Sequence, residues 1–372
     1  MKVLLTCGGT AGHINPALAI ADELKKICPD CEILFVGSGR RLENRLIPMA
    51  GYDLDNIKIS GFERSLSPRK LLFNAKALLN LIGAFGQTRE IFRHFQPDVA
   101  IGTGGYVCYP VLKTAAKKGI PTLIHESNAV PGLTTRLLAS KVDKVLVAFA
   151  DVADLYPHPE RVLFTGTPVR GDFASQRKNE ARLRLGIDGR PLVVSFWGSL
   201  GAEKMNGDIV DFVSYNIESR LFNHIHATGG SAAVTQDVKR KIREKMTGDL
   251  PRWIDIRTYI DNMPTVMAAA DLVVCRGGAS TLAELTLMGK PAVIVPSPNV
   301  TNNHQEKNAA QLSKAGGAVV LHERDCSGEK LYQTVKRLVS NRQQLAEMAV
   351  SMKKAGVPDS AKKIVERIIS MS

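Results

Sequence analysis

Short runs rich in Val, Ile and Leu alternate with helix-period stretches from one end of the chain to the other, and this rhythm constrains the fold more than any other feature. Candidate strands are Val3–Thr6, Glu32–Val36, Asp98–Ile101, Thr122–His125, Val145–Phe149 and Val162–Thr165. A second series comprises Leu192–Phe196, His224–Thr228, Asp255–Thr258, Leu272–Cys275, Ala292–Val295 and Ala318–Leu321. Near-continuous apolar strands separated by helices imply parallel sheets covered on both faces, a doubly wound α/β architecture. The chain has 372 residues, and at roughly 100–200 residues per domain there is enough for two such sheets. The break is expected in the charged, turn-rich stretch between Thr167 and Gly189. This divides the chain into 1–167, 168–345 and a terminal helical segment 346–372 that packs on either half.

With 49 Lys+Arg against 36 Asp+Glu the net charge is +13, which points to an anionic partner: nucleic acid, a phosphorylated substrate or acidic lipid. The apolar runs are strand-sized, short of the roughly 20 residues a membrane-spanning helix needs, and Met1-Lys2 runs into a strand rather than a signal peptide. A cytoplasmic protein is the expectation. The six cysteines form no disulfide scaffold. Cys28-Pro-Asp-Cys31 has redox or zinc spacing but lacks a second pair to complete a metal site.

Ligands of doubly wound sheets bind outside the carboxyl ends of the strands, and glycine or polar clusters recur there. Gly8-Gly9-Thr10-Ala11-Gly12-His13 follows the first strand, with Asn15 and Pro16 reading as N-cap and first helical residue. Gly102-Thr103-Gly104-Gly105 and His125-Glu126-Ser127-Asn128 follow later strands. In the second half, Trp197-Gly198-Ser199-Leu200-Gly201 and Thr228-Gly229-Gly230 are followed by Cys275-Arg276-Gly277-Gly278-Ala279-Ser280-Thr281-Leu282-Ala283-Glu284. Small residues opening a helix leave bare N–H groups suited to a diphosphate, and Glu284 can accept from ribose hydroxyls. Equally, Thr281-x-x-Glu284 reads as a capping box. Neither half carries a Walker P-loop or a full GxGxxG after its first strand, so an NTPase or a nicotinamide oxidoreductase is disfavoured.

Together GGTAGHINPALAIA, HESNAVPGLTTRLLA, TGTPVR, GSLGA, YIDNM, CRGGASTLAELTLMGKPAVIVP and NNHQEKNA resemble the MurG family. That resemblance implies the GT-B fold, two Rossmann-like domains facing an interdomain cleft. It implies an inverting hexosyltransferase that moves GlcNAc from UDP-GlcNAc to the 4-hydroxyl of MurNAc in lipid I, giving lipid II for peptidoglycan. By motif, His13 is the candidate base. Thr10, Ala11 and Gly12 are expected to line the diphosphate and acceptor side, Asn128 to meet the GlcNAc, and Arg170 and Ser199 the donor. Ile260 is expected to meet the uracil through its backbone, Ala279, Ser280 and Thr281 the phosphates, Glu284 the ribose, and His304 and Gln305 the sugar. No cofactor, metal or nucleic acid is expected. The alternatives are an epimerase acting on UDP-GlcNAc on the same architecture, or a non-catalytic UDP-sugar-binding subunit.

The span 67–95 reads as a long helix whose apolar residues cover more of the wheel than one buried face needs. Between residues 60 and 95 six basic residues (Arg64, Arg69, Lys70, Lys76, Arg89, Arg93) face two acidic ones (Glu63, Glu90). Leu72, Phe73 and Leu79, with Lys76, are the expected contact with an anionic cytoplasmic membrane surface. The bland alternative is a helix buried on two sides.

Overall fold

A computed structural model describes residues 1–39, 41–61, 68–198, 200–246 and 248–372, with the backbone alone at 41, 68–73, 75, 76 and 301. Ser199 lies outside the described residues, as do the side chains of Leu72, Phe73 and Lys76. The chain divides into two units, residues 1–170 with 358–372, and residues 171–357.

The first unit holds β1 (Lys2–Thr6), β2 (Glu32–Gly37), β3 (Asp53–Asn56), β4 (Val99–Gly102), β5 (Thr122–Glu126), β6 (Lys144–Val147) and β7 (Val162–Phe164). All pair in parallel in the order β3-β2-β1-β4-β5-β6-β7, with Val3 opposite Ile33 and Val99. The central strands are buried along nearly their whole length, which is why they read as unbroken apolar runs. β3 was not expected from the sequence: Asp-Leu-Asp-Asn has poor strand propensity, and its edge position exposes three of its four residues.

The helix after β1 spans Ala11–Ile27, so Thr10 rather than Asn15 is the N-cap and Pro16 sits inside the helix. As the sixth helical residue, Pro16 gives up the bond that an N–H there would make to the Gly12 carbonyl. The helix Ser360–Ile369 packs against this one, burying Ile364, Val365 and Ile368 in the same core as Leu18 and Leu24. At about 1.5–3 kcal/mol per buried aliphatic side chain, that docking is substantial.

The second unit holds β8 (Leu192–Phe196), β9 (Asn223–Ala227), β10 (Ile254–Arg257), β11 (Leu272–Cys275), β12 (Ala292–Ile294) and β13 (Ala318–Val320). They run parallel in the order β10-β9-β8-β11-β12-β13. Helices Gly328–Val339 and Arg342–Lys354 stay with this unit, burying Leu331, Val335 and Met348 in its core. In both sheets the strand order reverses next to the first strand, between β1 and β4 and between β8 and β11. These are the topological switch points where such folds bind ligands.

Candidate active site

At the first switch point the loops after β1 and β4 touch backbone to backbone. A Cβ on Gly105 (φ +90°) would lie 2.5 Å from the Gly8 carbonyl oxygen, so only glycine fits. Gly8 N–H donates to the Gly104 carbonyl at 3.1 Å, and Thr103 Oγ1 donates to the His13 carbonyl at 2.7 Å. The His13 ring lies over Gly104, whose Cβ would come within 2.5 Å of it. His13 Nδ1 is 2.8 Å from the Gly8 carbonyl oxygen. A carbonyl only accepts, so Nδ1 carries a proton, and in the neutral ring the lone pair falls on Nε2.

Sequence reasoning missed Glu43, which is fully buried on the helix Arg41–Met49. Its Oε1 accepts from Gly9 N–H at 2.6 Å and its Oε2 from Ser38 N–H at 2.6 Å, while Ser38 Oγ donates to both oxygens at 3.0 and 3.1 Å. A Cβ on Gly8 or Gly37 would come within 2.9 Å of this carboxylate. The glycines therefore make room for a buried acid as much as for any ligand.

The loop after β5 is organised by Glu126, 6% exposed. Oε1 accepts from Asn128 N–H at 3.1 Å and from Asn128 Nδ2 at 2.9 Å; Oε2 accepts from Gly132 N–H at 2.9 Å and Thr135 Oγ1 at 2.7 Å. This knot fixes the Asn128 side chain at the sheet edge that also carries His13. Buried His125 bonds the Gly166 carbonyl through Nε2 at 2.9 Å, and desolvation holds its pKa below the usual value. Arg170 stands elsewhere: its Nε donates to Asp22 Oδ2 at 3.1 Å, and the partner Asp22 Oδ1 accepts from Tyr52. Asp22 lies eleven residues along the helix from Ala11, about 16 Å at 1.5 Å per residue.

At the second switch point Gly278 is the N-cap of the helix Ala279–Met288, so Ala279, Ser280 and Thr281 are its first three residues and their N–H groups lack intrahelical acceptors. Thr281 is thus not an N-cap, and the capping-box alternative falls. Among the described residues no donor reaches the Glu284 carboxylate. Desolvation pushes its pKa up to about 8, although the residue keeps some solvent contact. Gly277 lies flat against Gln305, whose carbonyl oxygen would be 2.4 Å from a Cβ there. Gln305 Oε1 accepts from Ser297 N–H at 2.9 Å. His304 opens the helix His304–Lys314 after two left-handed non-glycine residues, Asn302 (φ 56°) and Asn303 (φ 50°), strain of the kind found at functional sites. Ile260, in the loop after β10, is 3% exposed as a whole residue. Beside them Arg276 is clamped by Glu323 at 2.5 Å and the Val295 carbonyl at 3.1 Å, its guanidinium 5.8 Å from the Trp197 ring centroid.

The structure therefore gathers Thr10, Ala11, Gly12, His13 and Asn128 at the carboxyl edge of one sheet, and Ile260, Ala279, Ser280, Thr281, Glu284, His304 and Gln305 at that of the other. Among the described residues, no three His, Cys, Asp or Glu side chains are grouped to hold a metal ion.

Two doubly wound parallel sheets, each opening a helix N-terminus at its switch point, are the two domains of a GT-B fold. Residues 3–147 match the glycosyltransferase family 28 N-terminal domain and residues 192–364 the glycosyltransferase family 28 C-terminal domain. The UDP-N-acetylglucosamine–N-acetylmuramyl-(pentapeptide) pyrophosphoryl-undecaprenol N-acetylglucosamine transferase of Acetivibrio thermocellus is 42% identical, over 99% of this chain and 97% of its own. That of Ruminiclostridium cellulolyticum is 43% identical over 99% of both. The crystal structure of MurG from Acinetobacter baumannii superposes with a TM-score of 0.75 at 28% identity, covering 99% of each chain. The chain belongs to the MurG family. A UDP-GlcNAc 2-epimerase from Neisseria meningitidis, TM-score 0.69 at 14% identity over the full length of both chains, shares the fold alone.

Proposed function

We propose that the chain transfers GlcNAc from UDP-GlcNAc to the 4-hydroxyl of MurNAc in lipid I, with inversion at the anomeric carbon, giving lipid II. The observation that carries this reading is the 42% identity, over almost the whole of both chains, with a transferase named for that reaction. The site geometry agrees with it. With Nδ1 donating to Gly8, the neutral His13 ring has its lone pair on Nε2, fit to take the proton of the attacking hydroxyl. Asn128 is oriented by Glu126 toward the sugar. In the second unit the helix N-terminus at Ala279, Ser280 and Thr281 offers charge stabilisation to the departing diphosphate. Glu284 takes the ribose hydroxyls, the backbone at Ile260 the uracil, and His304 and Gln305 the sugar hydroxyls. Ser199 is assigned to the donor on motif alone. Arg170 is also assigned to the donor, and to serve it the side chain must leave Asp22.

The acceptor is a lipid, and the first unit carries a surface suited to meet the anionic cytoplasmic leaflet. On the helix Pro68–Phe95, Ala77, Ala84 and Phe92 are buried while Leu78, Leu79 and Ile82 stand 53%, 68% and 64% exposed. Arg89 and Arg93 are exposed further along the same helix. Among the described residues no helix is long and apolar enough to cross a membrane, so contact would be at the surface.

The test is incubation with UDP-GlcNAc, with and without a lipid I analogue. Disaccharide product and UDP should appear only with acceptor. UDP-ManNAc formed without acceptor would instead mark an epimerase, and UDP-GlcNAc binding with no turnover a non-catalytic subunit.

A further inference from the structure

The second unit contains a buried polar chain that no part of the proposed chemistry uses. Ser195 on β8 and His224 and His226 on β9 are all 0% exposed, and Asn206 on the helix Glu203–Ser219 is 5% exposed. Ser195 Oγ lies 2.8 Å from His224 Nε2 and 2.7 Å from His226 Nδ1; His226 Nε2 lies 3.3 Å from Asn206 Oδ1; Asn206 Nδ2 donates to the Thr228 carbonyl at 3.0 Å.

One arrangement of protons satisfies this chain. The Thr228 carbonyl can only accept, so the Asn206 amide turns its NH₂ toward Thr228 and its oxygen toward His226. His226 Nε2 must then be the donor and Nδ1 the acceptor. Ser195 therefore donates to His226 and accepts from His224 Nε2–H. This leaves His224 Nδ1 as a lone pair, and that atom is buried beside the Phe212 and Phe222 rings with no partner among the described residues. A lone pair is the cheaper group to strand there than an N–H. Burial lowers the pKa of both histidines, so both stay neutral as the arrangement requires.

The chain ends on a functional loop. Thr228-Gly229 is in backbone contact with the loop after β8: a Cβ on Gly229 (φ +67°) would lie 2.4 Å from Gly201 N and 2.5 Å from the Gly198 oxygen. Gly229 N–H also donates to the Thr258 carbonyl at 3.0 Å, and Thr235 Oγ1 bridges the Thr228 and Thr258 hydroxyls at 2.8 Å each. A shift at Thr228 is thus passed to Gly198, to Gly201 and to Thr258, which lies two residues before Ile260. Close-packed backbone leaves no slack to absorb it.

We propose that Asn206 and His226 are positioning residues for donor binding, holding Thr228-Gly229 so that the loop after β8 and the backbone at Ile260 are set to receive the uridine diphosphate. This rests on the reading that the second unit takes UDP-GlcNAc.

Four variants test it: Asn206→Leu, of similar shape without polar atoms; His226→Gln, which keeps a donor toward Asn206; Ser195→Ala, which removes only the middle link; and Phe222→Leu, a core change outside the chain. UDP binding is measured by calorimetry, and KM for UDP-GlcNAc and for a lipid I analogue is measured well below each variant's Tm. Asn206→Leu should raise the UDP Kd and the donor KM by about fivefold or more, leave the acceptor KM within about twofold, and change kcat little. His226→Gln should keep the donor KM within about twofold of the parent, and Ser195→Ala should fall between the two. Phe222→Leu should lose stability with both KM values unchanged. Should Asn206→Leu not fold, Ser195→Ala against Phe222→Leu gives the same comparison. A donor KM unmoved in Asn206→Leu and Ser195→Ala, or raised equally by Phe222→Leu, overturns the proposal while leaving the donor assignment standing. Absence of UDP binding in the parent protein would remove the donor assignment itself.

Discussion

The Nδ1 atom of His13, in the first turn of its helix, sits 2.8 Å from the carbonyl oxygen of Gly8, five residues earlier in the glycine loop. That one bond selects the tautomer whose Nε2 is free to accept a proton. If His13 is the base, as proposed, it is oriented by the backbone of the glycine loop. His13→Ala should lower kcat by roughly 10²-fold or more while leaving UDP affinity nearly unchanged. Near-normal turnover would take His13 out of the mechanism. Gly104→Ala should act through the same ring, since its Cβ would meet His13 at a backbone φ of +118°; a parent-like kcat there would show that the ring has room to move.

Glu43 is expected to hold the loop that carries His13. Glu43→Gln replaces one acceptor oxygen with an NH₂ that must face Gly9 N–H or Ser38 N–H. The mismatch should cost about 1–3 kcal/mol in urea unfolding and lower kcat with it. A variant as stable as the parent would mean that the loop keeps its shape without the acid.

Glu284, pushed up to about 8, is largely protonated at pH 7 in the free protein. Ribose hydroxyls that donate to it favour the ionised form, so UDP binding should expel this proton. Calorimetry at pH 7.5 in buffers of different ionisation heat should show up to about one more proton released by the parent than by Glu284→Gln. Equal release by the two proteins would separate Glu284 from the ribose. Glu284→Ala should also raise the donor KM more than the acceptor KM.

Acid should weaken the second unit through His224 and His226. Desolvation holds His226 near 3 and His224 well below its ordinary value, so the unfolded chain takes up protons first. The stability this confers is present above about pH 6.5 and is lost as pH falls toward the folded values. Unfolding followed from pH 7 to pH 4 should show a loss that His224→Leu reduces. A loss identical in the two proteins would assign it to other groups.

Leu78, Leu79 and Ile82 on one exposed face, with Arg89 and Arg93 exposed further along the helix, predict binding to anionic vesicles that falls with added salt. Changing all three to Ser should weaken binding and activity on long-chain acceptor, yet spare a short-chain soluble analogue. Equal binding of the parent protein to neutral and anionic vesicles would dismiss the electrostatic part of this reading.

The apolar rhythm by itself determined the number of sheets, their parallel sense and nearly every central strand, because a strand buried on both faces must be apolar along its whole length. The glycine clusters likewise marked the carboxyl edges that carry the candidate site. Polar sequence under tertiary control was not legible in this way. β3 forms from Asp-Leu-Asp-Asn because an edge strand needs only backbone pairing on one side. Whether Thr281 or Gly278 capped its helix depended on where the chain left β11, which local pattern does not encode. The C-terminal helix Ser360–Ile369 chose the first unit because Leu18 and Leu24 offered it an apolar face. Glu43 and Asn206 carried no signal in the sequence, and Glu126 stood out only as part of the polar cluster after β5. Only packing against loops distant in sequence made them buried acceptors and donors, since a hydrogen bond's partners are set by proximity in space and not by spacing along the chain.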